Sequence, residues 1–420
     1  MTKFLSKISI NDAAITVCYL GALSVFIPLL PVNIETQPVL FIAGAVLCFW
    51  HNSQRSKQLL LFVTAFLCMV TCSAIYNFGF YGSSAIIDWT KFSLPVIFFY
   101  LANKVTPPHR AVQYAVAFLH IVLLILFLSG KATILESIFG RYLADPNATR
   151  GFSFLAYEPS YAATYLYTLS VCANRTYINQ NLSKRIWFPQ TVFIVCLLAT
   201  KSLLGLIFIV ILLYEFFDFS LRKLVKFVPV SFLLFSAFAY FNSNENSRFN
   251  EFFIAISTLD SQDLVVALSI AEPSGTTRLI GNWFAIAYGL ESVTGFGTGS
   301  FGTTWGIINL QKNNTLVLDH LLLGQFIADG NSTPQAWSGG ISFEFGLAGL
   351  VFATFFFYLI VSRVRSEGAV REKAIRVILM YCGVVFFLQS QISNPIYCYT
   401  LLILAQPIRR SLIVNEVQRG

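Results

Sequence analysis

Charged side chains are scarce in this chain of 420 residues: Asp, Glu, Lys and Arg make up 11% of it. Soluble domains carry about 25% of these residues. Hydrophobic residues make up 56%, and the mean hydropathy is +0.68. Apolar stretches long enough for a membrane span, about 20 residues, recur from one end of the chain to the other. The scarcity of charge therefore argues against a soluble globular protein and indicates a chain embedded in the lipid bilayer.

Sequence signals for three further features are missing. All eight cysteines fall in apolar stretches, which argues against a disulfide framework. Neither the spacing of a metal site nor a glycine-rich nucleotide loop is present, so we expect no metal and no organic cofactor. Residues 1–15 lack the small-residue cleavage site of a signal peptide, so we expect the first span to be kept as an anchor.

Twelve apolar runs predict an all-α polytopic membrane protein, because helices satisfy the backbone hydrogen bonds of such runs in lipid. The seventh and eighth runs are short and meet at Lys201-Ser202, so a re-entrant hairpin is an alternative there. The predicted spans are 11–30, 36–50, 58–77, 83–102, 110–129, 154–173, 187–201, 202–219, 223–241, 338–361, 374–392 and 395–411.

Lysine and arginine in the loops predict the orientation of these spans, because cytoplasmic loops carry an excess of both residues. With both termini on the cytoplasmic side, 20 of the 28 Lys and Arg residues lie on the inner side and 7 on the outer side. We therefore expect a multi-pass protein of the bacterial inner membrane with both termini in the cytoplasm. The formal net charge of +8 follows from this topology and does not indicate nucleic acid.

Two outer segments organise the chain. Residues 1–241 form an N-terminal bundle of about nine spans with an outer loop at 130–153, and residues 338–420 hold about three further spans. Residues 242–337 between them form a large periplasmic loop. Its apolar patches are typical of short amphipathic helices, so we expect helices packed on the outer membrane surface.

Charged residues within the spans predict two sets of ion pairs. Asp88 and Lys91 lie three residues apart on the fourth span and therefore share a helix face, where we expect a mutual ion pair near the outer interface. A proton or ion relay is the alternative. Glu215 and Asp218 lie at the inner end of the eighth span, where we expect them to pair with Arg222 and Lys223.

The most informative string, RGFSFLAYEPS, runs from Arg150 to Ser160 where the chain enters the sixth span from outside. Glu158 precedes a proline suited to the first turn of a helix, and its carboxylate would lie at the positive end of that helix. A helix-starting role is the simplest interpretation, although acids at membrane depth are also functional candidates.

This string has an Arg, then a Gly-Phe, then a Glu-Pro-Ser that opens a helix. The order resembles that in the bacterial O-antigen and capsule repeat-unit polymerases (the Wzy type). Three features add to the resemblance. Arg278 and Gly289 have ten residues between them, a glycine-rich run follows from Gly295, and residues 342–349 (SFEFGLAG) are similar to the motif that opens the span after the large loop. The resemblance covers most of the chain by architecture but only short motifs by sequence.

One departure from that superfamily concerns histidine. The related ligases carry a His-Asn pair nine residues before the glutamate of the last motif, and here that position, nine residues before Glu344, is Gln335. The histidine of the ligases therefore has no counterpart at position 335. His320, fifteen residues earlier in the same loop, is the alternative.

The resemblance implies a metal-independent glycosyl transfer that polymerises polyprenyl-diphosphate-linked oligosaccharide repeat units on the outer face of the inner membrane. Negative charge then develops on a leaving diphosphate, which arginine can bind through two parallel donors. The acceptor hydroxyl needs a base within hydrogen-bond reach. The candidate catalytic residues are Glu158, Arg278, Arg150 and His320, and the candidate substrate-binding residues are Arg141, Lys201, Tyr157, Ser160, Gln335 and Glu344.

Three other functions stay open, and one of them is a purely structural membrane subunit, against which the outer arginines argue. A ligase of the same superfamily would move the glycan to a different acceptor, and the absence of histidine at Gln335 argues against it. A polysaccharide flippase or transporter would show repeated halves and charges at the bilayer midplane, which this sequence lacks. The implied partners are the lipid-linked oligosaccharide and membrane lipid, with a chain-length regulator and a flippase as further candidates and no nucleic acid.

Overall fold

The computed structural model describes residues 10–25, 38–51, 57–131, 152–156, 158–180, 187–216, 273–318, 321–328, 337–364, 368–388 and 394–406. All regular secondary structure in these ranges is helical, which confirms the all-α class. The predicted span 223–241 lies outside them. The helices are α1 Ile10–Ser24, α2 Val39–His51, α3 Lys57–Tyr81, α4 Ser83–Leu101, α5 Arg110–Leu128, α6 Pro159–Gln180, α7 Trp187–Ala199, α8 Leu203–Phe216, α9 Pro273–Gly289, α10 Gly306–Gln311, α11 Thr315–Leu318, α12 Leu321–Ala328, α13 Trp337–Val361, α14 Gly368–Leu388 and α15 Ile396–Leu404, with a π-helical turn at Phe301–Trp305.

Apolar helices make this chain a membrane protein. In the part of the chain that the structure describes, four helices are long and apolar enough to cross a membrane by length and composition. They are α3, α4, α5 and α13. Shorter apolar helices accompany them, including α7 and α8, which meet at a turn where Lys201 has a φ of 47°. Large apolar side chains stay exposed on the outside of the bundle, such as Leu61 at 72% and Ile75 at 73%, which suits a surface that faces lipid.

Helix α6 lies at the centre of the bundle. Every residue from 161 to 176 is buried, and the helix contacts α1, α5, α7, α8 and α15. Its sequence in this range, YAATYLYTLSVCANRT, is rich in Ala, Ser and Thr, whose small side chains allow neighbouring helices to approach closely. Some of its polar groups bond to other helices inside the bundle, as when Thr168 Oγ1 meets Thr400 Oγ1 at 2.7 Å.

Long-range hydrogen bonds show which helix ends lie together. We call the end with the α3–α4 turn, residue 152 and the α7–α8 turn the loop face, and the other end the opposite face. The bonds at the loop face are Phe152 to Ala199 at 3.0 Å and Tyr81 to Thr304 at 3.2 Å, and those at the opposite face are Gln113 to Thr176 at 2.6 Å and Arg363 to Asn103 at 3.0 Å. Helices α3 to α8 therefore run in alternating directions.

Helix α13 is broken at Gly346, whose φ of 59° and ψ of −144° are not helical. The rings of Trp337 and Phe356 lie 6.0 Å apart, whereas a straight helix would separate the two residues by about 28 Å along its axis. The chain therefore turns back at Gly346. Helix α13 is a hairpin of two arms, 337–345 and 347–361, so its 25 residues do not form one continuous crossing, and it is not the straight tenth span that the apolar run predicted.

The first arm is a re-entrant segment enclosed by protein. All ten residues from Trp337 to Gly346 are buried. A broken helix at membrane depth is tolerated only where its backbone is shielded from lipid and its polar groups find partners. The burial of this arm fulfils the first condition.

Residues 292–300, which we call the glycine loop, fulfil the second condition by capping both broken ends. A helix end leaves backbone groups without partners inside the helix. The four capping bonds are Leu347 N–H to Ser292 O at 3.3 Å, Ala348 N–H to Val293 O at 3.1 Å, Phe296 N–H to Phe343 O at 3.0 Å and Gly297 N–H to Glu344 O at 2.8 Å. Two motifs that lie far apart in the sequence, the glycine run and residues 342–349, thus form one structural unit.

Glu215 pairs with a residue of another helix. Its Oε1 lies 2.8 Å from Nη2 of Arg175 on α6, and both side chains are buried. Arg175 therefore belongs to the bundle interior and not to an inner loop. The predicted partners Arg222 and Lys223, together with Asp218, lie outside the described residues.

Candidate functional site

The structure describes half of the ten candidate site residues. Glu158, Ser160, Lys201, Arg278 and Glu344 lie within the described ranges. Arg141, Arg150, Tyr157, His320 and Gln335 lie outside them.

Glu158 lies at the start of α6, which begins at Pro159 as the sequence predicted. The backbone carbonyl of Glu158 accepts hydrogen bonds from the N–H groups of Tyr161 and Ala162, each at 3.0 Å. Its side-chain Oε2 accepts a hydrogen bond from Ser160 Oγ at 3.3 Å. The half-buried carboxylate therefore stands at the positive end of the central helix, where the helix dipole favours negative charge.

The segment before this helix is held by aromatic packing. The rings of Phe152 and Phe127 stack with their centroids 4.4 Å apart, and the ring of Phe154 lies 5.8 Å from that of His120. Phe154 has a φ of 50°, which is uncommon for a side chain with a Cβ. This packing fixes the end of the predicted outer loop next to the α7–α8 turn, where the exposed Lys201 lies.

Arg278 lies on α9, and its guanidinium is close enough to Tyr397 of α15 for its charge to act on the phenol. The same phenol is close to that of Tyr161 and forms a hydrogen bond with the hydroxyl of Thr164. Both of these residues belong to the first turns of α6. Tyr397 therefore joins the arginine of the large loop to the helix that Glu158 opens. We call Arg278, Tyr397, Tyr161, Thr164 and Glu158 the arginine–tyrosine site.

The sequence motifs do not single out Tyr397. A signal for its position exists in Asn394-Pro395, an arrangement that is typical of a helix start. Asn394 Oδ1 accepts the N–H of Ile396 at 3.0 Å, and this helix begins at Ile396, one residue before the tyrosine.

Helix α9 runs beside the first arm of α13 in the same direction and in very close contact. A Cβ on Gly339 would lie 2.4 Å from Asn282 Oδ1, and a Cβ on Gly289 would lie 2.1 Å from Ser342 O. The Gly289 end of α9 reaches the glycine loop. Arg278 lies eleven residues before that end, about 16 Å along the helix axis at 1.5 Å per residue. Arg278 is thus displaced from the glycine loop towards the first turns of α6.

A second charged group lies at the turn of α13. Lys91 Nζ lies 2.8 Å from Asp88 Oδ1, which confirms the predicted ion pair. Glu344 is fully buried, and its carboxyl faces both the carboxyl of Asp88 and the backbone N–H of Gly299. Neither Glu344 oxygen makes a hydrogen bond of regular geometry to a described residue. The burial of Glu344 leaves no accessible carboxylate for direct contact with a substrate. We call Asp88, Lys91 and Glu344 the turn cluster.

The glycine loop does not present a free set of N–H groups to an anion. Gly295, Gly297 and Gly299 have φ values of 70°, 88° and 87°, a conformation that glycine adopts most readily. The N–H groups of residues 295–298 and 300 donate to protein acceptors, and that of Gly299 faces Glu344. The run therefore serves to cap α13 and is not a phosphate cradle.

His120 is a structural histidine of the central bundle. Its Nδ1 lies 2.8 Å from Val116 O and its Nε2 lies 3.3 Å from the hydroxyl of Tyr165. Aromatic rings of Phe154 and Phe193 enclose it, and it is fully buried. It has no access to a substrate at the loop face.

No family model matches this chain, and neither a curated protein nor a solved structure matches it. Among the described residues, no group of three or more His, Cys, Asp and Glu side chains is arranged to hold a metal ion.

Proposed function

We propose that this protein is a repeat-unit polymerase of the bacterial inner membrane. It transfers a growing glycan from polyprenyl diphosphate to a single lipid-linked repeat unit, on the outer face of a twelve-span protein with both termini in the cytoplasm. The observation that carries the proposal is the meeting of Arg278 with the first turns of α6 at Tyr397. The arginine of the large loop and the helix that the motif Glu158-Pro159-Ser160 opens are more than one hundred residues apart in the sequence, and both approach Tyr397.

The chemistry of this transfer suits the residues of the arginine–tyrosine site. The acceptor hydroxyl oxygen forms a bond to the anomeric carbon of the donor sugar, the bond from that carbon to the diphosphate oxygen breaks, and the hydroxyl proton passes to a base. Arg278 stabilises the charge on the leaving diphosphate through its planar pair of donors. Glu158, half-buried at a positive helix end, is the carboxylate of this site that can accept the proton.

Tyr397 and Tyr161 are buried, and their phenols lie between the arginine and the helix start. They therefore support Arg278 from within the bundle, and the substrate contacts are made by Arg278 and Glu158. The turn at Lys201 adds a cation at the loop face, where the diphosphate of a lipid carrier lies in the proposed topology.

Replacement of Arg278 tests the proposal. Arg278→Ala should lower polymer formation by about 10²-fold, the usual loss when a donor to developing negative charge is removed. Single repeat units should then accumulate on the lipid carrier. Arg278→Lys should rescue poorly, because a point charge lacks the planar pair of donors. The measurement is glycan chain length in a deletion strain complemented at matched protein level.

Lys312→Ala is the matched control. Lys312 is another cation of the predicted large loop, paired with Glu291 and 42% exposed, so its removal should leave chain length unchanged. Normal polymer from a well-expressed Arg278→Ala protein would exclude Arg278 from the reaction and would remove the main support for a polymerase.

A further inference from the structure

Helix α9 exposes one apolar stripe. Between Thr277 and Leu290 the exposed residues are Leu279, Trp283 and Leu290, and no polar residue in this range is exposed. The three recur after four and seven residues and therefore lie on one face of the helix. Leu279 is 48% exposed and Trp283 67%. A helix on the outer membrane surface turns a polar face to water, so α9 does not have the pattern of the surface helix that the sequence predicted.

The first arm of α13 gives a depth scale for its neighbours. The ring of Trp337, where this arm begins, lies 6.0 Å from that of Phe356 on the second arm. The ring of Phe356 lies 4.8 Å from that of Phe99, two residues before the end of α4 at the opposite face. Phe356 is nine residues past Leu347, about 14 Å along the helix axis. Half of a hydrocarbon core of about 30 Å is about 15 Å, so the first arm begins near the middle of the bilayer.

Helix α9 lies at the same depth as this arm. Asn282 packs against Gly339 so closely that no Cβ would fit there. Gly339 is seven residues before the turn at Gly346, which corresponds to about 10 Å along the helix axis. Trp283 follows Asn282, and Leu279 lies one helical turn further from the loop face, at about 16 Å. Leu279 and Trp283 are therefore level with the interior of the bilayer and not with its surface.

These depths are lower limits, because the turn of α13 itself lies below the end of α3. In the glycine loop that caps this turn, the N–H of Thr298 donates a hydrogen bond to Ser73 Oγ at 3.0 Å. Ser73 is eight residues before the end of α3 at Tyr81, about 12 Å along its axis. The stripe therefore lies well within the length of the long apolar helix α3.

The stripe is continuous with the lipid-facing surface of the second arm of α13. Leu347 and Val351 on that arm are exposed apolar residues. The N–H of Leu347 donates a hydrogen bond to Ser292 O at 3.3 Å, and Ser292 is two residues past Leu290. The outer end of the stripe on α9 therefore meets the outer end of a surface that faces acyl chains.

We propose that α9 is embedded in the bilayer and that Leu279, Trp283 and Leu290 bind the acyl chains of the surrounding lipid. Exposed apolar area is unfavourable in water, whereas in the hydrocarbon core it needs no covering by protein. The proposal moves α9 from the outer membrane surface, where the sequence placed it, into the membrane-embedded bundle. It goes beyond the proposed function and does not depend on glycan transfer.

Tryptophan fluorescence tests what surrounds Trp283 and needs no activity. The wild-type protein and Trp283→Phe are reconstituted in phosphatidylcholine vesicles whose acyl chains carry bromine, a short-range quencher, and the difference between them isolates the emission of Trp283. Bromine far down the chain should quench this emission more than bromine next to the headgroup, and iodide in the water should not quench it. Trp305→Phe is the matched control. Trp305 lies in the same predicted loop but is 1% exposed, so its removal should leave lipid quenching unchanged.

A charge placed on the stripe tests the depth in a second way. Leu279→Lys should strongly lower the amount of folded protein in the membrane fraction, because a lysine is costly within the hydrocarbon core. Leu316→Lys is the matched control. Leu316 is equally exposed, at 49%, but it lies on α11 at the outer end of α9, where Asn314 bonds to the hydroxyl of Tyr288 at 2.9 Å. This control should be produced normally.

Three results would overturn the proposal. Quenching of Trp283 by iodide and not by brominated chains would place α9 on the aqueous surface. The absence of both kinds of quenching would show that protein, such as a second copy of this chain, covers the stripe. Normal amounts of folded Leu279→Lys would contradict the depth. Neither measurement involves glycan, so both can turn out as expected even if the polymerase proposal fails.

Discussion

Removal of either partner of the buried pair between Arg175 and Glu215 should destabilise the protein strongly. The pair joins α6 to α8, with Nη2 and Oε1 separated by 2.8 Å and with side chains that are 1% and 4% exposed. Arg175→Met leaves the carboxylate buried without a cation, and Glu215→Gln leaves the guanidinium buried without an anion. Breaking a buried pair in this way costs about 3–5 kcal/mol. Each single variant should therefore lose about that much unfolding free energy.

The double variant Arg175→Met/Glu215→Gln should be much more stable than the sum of the single effects predicts. It leaves no uncompensated charge, and it also removes polar atoms that lack hydrogen-bond partners among the described residues, namely Nε and Nη1 of Arg175 and Oε2 of Glu215. An incompletely bonded pair recovers little of its desolvation cost. We expect a coupling free energy of about 2–3 kcal/mol between the two positions, near the upper end for interacting side chains.

The assay is unfolding of the purified protein in mixed micelles, by titration with a denaturing detergent and followed by intrinsic fluorescence. Lys312→Met, which breaks an exposed ion pair, should change the unfolding free energy by about 0–1 kcal/mol. Single variants at Arg175 and Glu215 that stay within this range would refute the reasoning. A double variant whose loss equals the sum of the two single losses would refute the coupling.

Two further predictions concern the α13 turn and the orientation. Gly346→Ala should lower the amount of folded protein in the membrane fraction, because its Cβ would lie 2.2 Å from Ser292 O at a φ of 59°. The control is Gly383→Ala, whose Cβ would have no neighbouring atom within 4 Å. This control should be produced normally when both variants are measured by the same membrane-fraction blot. Val293→Cys at the loop face should react with an impermeant maleimide added to intact spheroplasts, and Lys104→Cys at the opposite face should react only after lysis. The reverse labelling pattern would contradict cytoplasmic termini.

The sequence by itself determined that this protein lies in a lipid bilayer and that its fold is all-helical. Long apolar runs with few charges leave the helix as the backbone conformation that satisfies its own hydrogen bonds in lipid. It also determined local features that depend on neighbours within one turn. Asp88 and Lys91 pair because residues three apart share a helix face, and α6 begins at Pro159 because proline suits the first turn.

Tertiary structure alone decided which of these features meet. Distant segments are joined by the hairpin at Gly346, the proximity of Glu344 to Asp88, the proximity of Arg278 to Tyr397 and the pair of Arg175 with Glu215. In a soluble helix, apolar periodicity reveals the face that packs. A membrane helix is apolar both towards lipid and towards its neighbours, so that periodicity fades. The sequence therefore does not show which faces pack together, and packing is what assembles the turn cluster and the arginine–tyrosine site.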